Sequence, residues 1–289
     1  MRSFEEGKLL SELSTFGIGG PARHFTEVRQ IEELEEVMAY AHAQELPVLI
    51  VGKGSNCLFD DAGFDGLCIL NKIQFCRHEE AVVEVGAGYS FSLLGVQTAR
   101  RGWAGLEFAS GIPATVGGAI YMNAGANGAE TFDTLQEVTY ITETGQRELL
   151  KREALSWGYR TSSFQGKKGA IAAAKFILAP SPEARQKQLK IINYRTATQP
   201  YSDASAGCMF RNPPKHSAGA LIEQCGLKGS AIGGAEVSQL HANFIVNKGN
   251  ATAKEVLALA ELVQNTVREK MGIELEREVR YVPSRSALS

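Results

Sequence analysis

The chain of 289 residues has almost no excess of either charge: thirty lysines and arginines face thirty-two aspartates and glutamates, for a formal charge of −2. So balanced a composition supplies no broad field for gripping nucleic acid or an anionic membrane, and any phosphate must be held locally. Long apolar runs are missing too. No window approaches the length of a transmembrane helix, and charges are scattered through residues 1–10, where a signal peptide needs an unbroken apolar stretch. The expectation is a cytoplasmic protein without membrane insertion, without a nucleic-acid partner and with no protein partner indicated. Cysteine is scarce: Cys57, Cys68, Cys76, Cys208 and Cys225 form an odd set without CxxC or zinc-like spacing. That argues against a disulfide framework or a metal site and suits free thiols in a reducing compartment. Low-complexity tracts are absent, and 44% hydrophobic with 21% charged residues describes a folded chain, with 284–289 the best candidate for fraying.

What is present suits two or three packed units, at roughly 150 residues per domain. Ile31, Leu34, Val37, Met38 and Ala41 recur at helical spacing, and Pro47 then opens the short apolar run 48–51, a buried strand. Further strands are predicted at 66–70, 81–85, 134–141 and 170–178, with Thr144-Gly145 as a turn between two strands. Helices are predicted at 91–101, 183–196, 218–225 and 253–271; Gly272 caps the last, and 275–282 reads as a final strand. The class is α+β. Prolines at 180 and 182 separate a glycine-rich first part from a helix-rich second, and a domain boundary is placed there.

Two stretches hold many of the glycines: Gly52-Lys53-Gly54-Ser55-Asn56, and Gly111-Ile112-Pro113-Ala114-Thr115-Val116-Gly117-Gly118-Ala119 with Asn123-Ala124-Gly125 behind it. Neither is a standard nucleotide motif. A P-loop needs glycine where Pro47 stands and a Gly-Lys-Ser/Thr ending, whereas Lys53 is followed by Gly54; a dinucleotide fingerprint from Gly52 needs glycine where Cys57 stands, and Gly86-Ala87-Gly88 fails likewise. Backbone without Cβ atoms can nevertheless curl its N–H groups around an anion, so a pyrophosphate cradle stands beside the plainer reading of tight turns and bulges.

The order and number of longer motifs go further. Thr15-Phe16-Gly17-Ile18-Gly19-Gly20, the two glycine stretches, Gly158-Tyr159-Arg160, Gln199-Pro200 and Gly207-Cys208-Met209-Phe210-Arg211-Asn212-Pro213 follow one another along the chain. Gly226-Leu227-Lys228-Gly229, His241-Ala242-Asn243-Phe244-Ile245-Val246-Asn247 and Leu275-Glu276-Arg277-Glu278-Val279-Arg280 complete the series. Through nearly its whole length the chain resembles the UDP-N-acetylenolpyruvoylglucosamine reductase family. That resemblance implies a two-part FAD-binding domain of the vanillyl-alcohol-oxidase type over 1–180 (parts about 1–70 and 71–180). A substrate domain over 181–289 would follow, with the strand 275–282 returning to the active site. The implied cofactors are noncovalent FAD and NADPH as hydride donor, and the implied substrate is UDP-N-acetylglucosamine enolpyruvate. The short span between Arg160 and the strand at 170 resembles the shorter-loop branch of the family.

The same resemblance implies residue roles. Arg160 matches the arginine that stabilises charge developing on the substrate carboxylate, which its planar fork suits; outside this motif it would read as a surface arginine. Glu278 matches the glutamate supporting the enol intermediate, although Glu274, Glu276 and Glu278 alternate as a solvated strand face would. Cys208 stands where the family usually has the serine proton donor; a thiol can also deliver a proton, while most unpaired cysteines are small buried hydrophobes. Tyr159, Asn212 and His241 fall at substrate-contact positions, with Arg211 and Lys228 as partners for the diphosphate. Asn127 replaces a common aromatic residue, which puts one contact in question. Two other readings fit the glycine loops: a different FAD oxidoreductase acting on an alcohol or sugar, and a flavin-binding protein without turnover.

Overall fold

A computed structural model of the chain describes residues 4–285, so the predicted fraying of 286–289 and the first three residues lie outside the described residues. The chain divides into two compact units, each assembled from separate segments: Phe25–Lys53 with Leu67–Arg195, and Met1–His24 with Gly54–Gly66 and Thr196–Ser289. Compactness thus groups the chain differently from a single cut near 180, because two N-terminal segments pack with the C-terminal part.

In the first of these units, helix Ile31–Ala43 starts at Gln30, where Glu33 returns its carboxylate to the Gln30 N–H, and buries Leu34, Val37, Met38 and Ala41. Strand Val48–Val51 follows and pairs in parallel with Leu67–Leu70; of its four apolar residues only Val51 is buried, so the expected buried strand is a partly covered one. Among the described residues a five-stranded antiparallel sheet runs in the order Arg147–Lys151, Leu135–Thr142, Gly169–Ile177, Val82–Gly86, Cys76–Glu79. Thr144-Gly145 forms the predicted turn, with Gly145 N–H donating to Thr142 O at 3.0 Å. The central strand is alanine-rich and almost wholly buried. Its small side chains allow the short helix Val116–Tyr121 to lie against it. Phe91, Phe108, Phe132, Phe164 and Phe176 fill the core.

The sequence reading treated 111–119 as irregular, but Glu107–Gly111 is a 3-10 turn and Val116–Tyr121 a helix. Thr115 starts that helix, its hydroxyl accepting from Gly118 N–H at 3.3 Å. Two glycines in so short an element mask its helical propensity.

The second unit contains an antiparallel sheet in the order Ala204–Cys208, Phe244–Asn247, Ala235–Val237, Ala231–Ile232. Helices Ala218–Gln224 and Ala253–Met271 pack with it around one core. The long helix is capped by a reciprocal Thr252–Glu255 box and ends at Gly272, whose φ is +69°. Val256, Leu259, Ala260, Val263 and Val267 form its buried stripe. Each fully buried valine or leucine contributes about 1.5–3 kcal/mol, which is why this period was legible. The predicted strand 275–282 needs correction: only Arg280–Val282 pairs as a strand, in parallel with Cys57–Phe59. The preceding residues make scattered bonds instead of a ladder. Glu276 O accepts from Arg211 N–H, Glu278 N–H donates to Met209 O, and Leu275 O is taken by the Gln264 side chain.

Candidate active site

Gly52 and Thr115 of the second glycine stretch, distant in sequence, meet inside one unit. A Cβ at Gly52 would collide with the Thr115 side chain, so the strand end and the helix start approach this closely only with glycine there. Among the described residues, no acceptor takes the backbone N–H groups of Lys53, Gly54 or Ser55. Beside the second stretch, the Ser110 hydroxyl is buried and has no hydrogen-bond partner. Within one unit the unused Lys53 N–H and the buried Ser110 hydroxyl are donors of the kind a pyrophosphate takes, and the residues present therefore fit FAD. Thr115, Gly117 and Ala119 have their N–H or carbonyl groups engaged at least in part within the protein: Gly117 N–H donates to Ala87 O at 2.9 Å, and Thr115 O accepts from Ala119 N–H. Ala124 O likewise accepts from the Thr131 hydroxyl and N–H. Gly125 pairs with Glu130 in a two-residue ladder.

Asn123 departs from the cradle. Its side chain is fully buried and spent inside the unit, donating to Gly158 O at 3.0 Å and accepting from Phe132 N–H at 3.2 Å. The residue it reaches starts the turn of a hairpin. Trp157–Gly158 and Thr161–Ser162 pair with only Tyr159 and Arg160 between them. Tyr159 is exposed, Arg160 half-buried, and the guanidinium lies 5.0 Å from the Tyr159 ring centroid. Arg160 adopts φ +58°, an uncommon conformation for a residue with a side chain.

In the other unit, a cluster forms around the Gly207–Pro213 run. Gly207 has φ +80° at an irregularity in the pairing of Ala204–Cys208 with Phe244–Asn247, and such a bulge re-aims the next side chain, Cys208. Asn243, 3% exposed, clamps the run from both sides: its amide donates to Phe210 O at 2.8 Å and accepts from Phe210 N–H at 3.0 Å. Glu278 N–H donates to Met209 O at 2.8 Å, which sets Glu278 beside the residue next to Cys208. Asn56 joins the group by donating to Glu278 O at 3.3 Å. Glu278 is half-buried where Glu274 and Glu276 are exposed, so the three do not form one solvated face.

The remaining candidates are less tightly grouped. Asn212 accepts from Ala218 N–H at 2.9 Å at the start of a helix. His241 stands edge-on to Phe244, and its Nδ1 accepts from Asn243 N–H at 3.3 Å. Arg211 reaches Glu276 at 3.6 Å, while its Nε is buried without a partner. Lys228 pairs with Glu223 at 2.6 Å on a largely open surface. Sequence reasoning did not single out Ser110, Gln165 or the clamp role of Asn243. Polar residues of these types are common in loops, and only the positions of their partners distinguish them.

Comparison with known proteins agrees with this geometry. Residues 199–282 match the family model "UDP-N-acetylenolpyruvoylglucosamine reductase, C-terminal domain", and residues 22–150 match "FAD binding domain". The chain is 58% identical over 281 residues to UDP-N-acetylenolpyruvoylglucosamine reductase of Protochlamydia amoebophila, covering 97% of this chain and 94% of that protein. It is 48% identical to the enzyme of the same name from Chlamydia trachomatis serovar A, covering 98% and 97%. Among solved structures it is similar to UDP-N-acetylenolpyruvylglucosamine reductase (MurB) of Thermus caldophilus, with a TM-score of 0.83, 38% identity and coverage of 96% and 98%. Both glycine stretches fall within the FAD-binding match and Cys208, His241 and Glu278 within the other; Tyr159 and Arg160 lie outside both.

Proposed function

The chain belongs to the UDP-N-acetylenolpyruvoylglucosamine reductase family, and from that premise we propose which of its residues carry the reaction. It is an FAD-dependent oxidoreductase of peptidoglycan precursor synthesis that uses NADPH to reduce UDP-N-acetylglucosamine enolpyruvate to UDP-N-acetylmuramate. No helix among the described residues is long and apolar enough to cross a membrane, and the cytoplasm is the compartment that suits five free thiols and a nicotinamide donor.

FAD, when bound, would supply two-electron hydride chemistry between NADPH and the enol ether. Residues 52–56, 111–115, 117–119, 124 and 125, with Ser110 added and the Asn123 side chain excepted, would hold its pyrophosphate and ribityl chain. As hydride arrives at the terminal carbon, the double bond's electron pair moves to the neighbouring carbon and its carboxylate. Arg160 stabilises that charge through paired N–H donors. Glu278 supports the enol form, and Cys208 delivers the proton that completes the reduction at that carbon. Asn212, His241 and Tyr159 contact the substrate, with Arg211 and Lys228 serving its diphosphate. The observation that supports these roles best is the Glu278 N–H bond to Met209 O, because it ties the proposed acid and the enol-supporting carboxylate to one backbone segment. Residues 1–180 form the FAD-binding domain and 181–289 the substrate domain in this reading.

An anaerobic spectral titration tests it. The purified protein is yellow, releases FAD and not FMN on denaturation, bleaches with NADPH and regains colour when the UDP enolpyruvyl sugar is added. A protein that bleaches but does not regain colour with that sugar overturns the substrate assignment.

A further inference from the structure

We propose that Gln165 and Asn123 are positioning residues for Arg160, acting through the backbone of the turn that carries it. This rests on the assignment of Arg160 to the substrate-reducing half of the reaction.

Arg160 occupies the left-handed region at φ +58° in a two-residue turn. Its conformation must be imposed from outside. The Gln165 side-chain nitrogen lies 3.1 Å from Arg160 O and 3.0 Å from Tyr121 O. An amide has two N–H groups, so one side chain satisfies both carbonyls and ties the turn to the end of helix Val116–Tyr121. Met122 Sδ, 3.6 Å from the same nitrogen, packs beside it.

Asn123 grips the other side. Its amide donates to Gly158 O, the carbonyl just before the turn, at 3.0 Å, and its oxygen is held by Phe132 N–H at 3.2 Å. Phe132 in turn stacks on Trp157 with ring centroids 5.0 Å apart, and the Ser162 hydroxyl donates to Tyr121 O at 2.8 Å. Gly158 and Trp157 on one side of Tyr159-Arg160 and Ser162 on the other are therefore fastened to residues 121–132. Full burial of Asn123 removes its side chain from contact with any bound molecule, so its influence runs through Arg160. In sequence it sits among the cofactor-loop residues; in the structure it serves the arginine.

Stopped-flow absorbance of the FAD holoenzyme separates flavin reduction by NADPH from reoxidation by the UDP enolpyruvyl sugar. Gln165→Met keeps the side-chain length and removes both donors. Asn123→Asp keeps the acceptor for Phe132 N–H and removes the donor to Gly158 O. Both variants are expected to reduce at the parental rate and to reoxidise about tenfold to a hundredfold more slowly, the scale at which misplacement by about an ångström acts. In an Arg160→Ala background, adding Gln165→Met should change reoxidation by less than about twofold, since nothing remains to be positioned. A purely structural role would instead slow both halves together or add its full effect to Arg160→Ala; either of these overturns the proposal. If Asn123→Asp does not fold, Gln165→Met decides alone. Parental reoxidation by Arg160→Ala would remove the assignment of Arg160 itself and the proposal with it. Slow Arg160→Ala with parental Gln165→Met removes only the mount.

Discussion

Two regions hold reactive groups by different means. The Arg160 turn is fastened by side chains, with Gln165, Asn123 and Ser162 each reaching a backbone carbonyl. The segment bearing Cys208 and its neighbour Glu278 is fastened largely through the main chain, by Met209 N–H to Asn243 O at 2.7 Å and Glu278 N–H to Met209 O at 2.8 Å. Asn243 is its one side-chain clamp that bonds both ways. A mount built of side chains can be dismantled by substitution. One built of backbone bonds persists when side chains change, so substitutions at Cys208 or Glu278 should report on chemistry with little disturbance of geometry.

The sharpest test of that contrast is Cys208→Ala. With the backbone mount intact, flavin reduction by NADPH should be unchanged while reoxidation by substrate slows by about 10² to 10⁴, the range for loss of a general acid. A donor thiol must be neutral, so reoxidation should have an alkaline limb; Cys208→Ser should retain activity and shift or remove that limb, because a hydroxyl does not ionise in the accessible range. Parental reoxidation by Cys208→Ala, or an unchanged limb in Cys208→Ser, would assign the acid elsewhere.

Arg160→Lys and Glu278→Gln come next. Each removes one interaction with developing charge, worth about 10² to 10³ in rate. Stopped-flow traces should show the loss in reoxidation alone; equal slowing of both halves would mean a damaged flavin site.

Asn243→Ala probes the clamp and reads out as stability. Phe210 N–H and O would lose their partner in a buried setting, at about 1–3 kcal/mol for each group left unsatisfied, measured by denaturant melts. A loss of less than half a kcal/mol, in round terms about the scale of a neutral surface change, would mean the backbone bonds suffice.

The smallest effect concerns Tyr281, whose hydroxyl donates to Asp60 where strand Arg280–Val282 leaves the Glu278 segment. That hydrogen bond holds the Asp60 carboxyl below the usual carboxylate range and pushes the Tyr281 phenol up to about 12. For Asp60 the folded pKa lies below the unfolded one, so its contribution is present above the unfolded value and fades as pH falls through the folded value. For Tyr281 the sign reverses: its contribution is full below the unfolded phenol pKa and fades as pH rises through about 12. Tyr281→Phe should flatten both limbs of melting temperature against pH, by a small amount because the pair is largely exposed. Identical limbs in the variant would show that the bond does not persist in solution.

Much of this protein was legible in its sequence where a local rule and a tertiary demand coincide. The stripe Val256 to Val267, the Thr252–Glu255 box and Gly272 all describe one helix at short range, and the structure realises each. The turn at Thr144-Gly145 reads correctly for the same reason, and 48–51 is the expected strand although only Val51 in it is buried. Short-range pattern was misleading at 275–279, where alternating residues resemble a strand but their backbone partners are single residues of a distant segment.

By itself the sequence determined the longer helices, the α+β class, and, through its ordered motifs, the family and hence the chemistry; the strands Pro21–Val28 and Ala204–Cys208 were not read from it. Only the tertiary structure decided which motif residues spend their side chains on the protein's own backbone. Asn123 lies within the cofactor stretch of the sequence yet is fully buried beneath the Arg160 turn, and Gln165, outside every quoted motif, bonds to Arg160 itself. The physical reason is that a hydrogen bond is specified by where its partner's backbone arrives, and Gly158 O and Arg160 O arrive through packing of distant segments that no local spacing encodes.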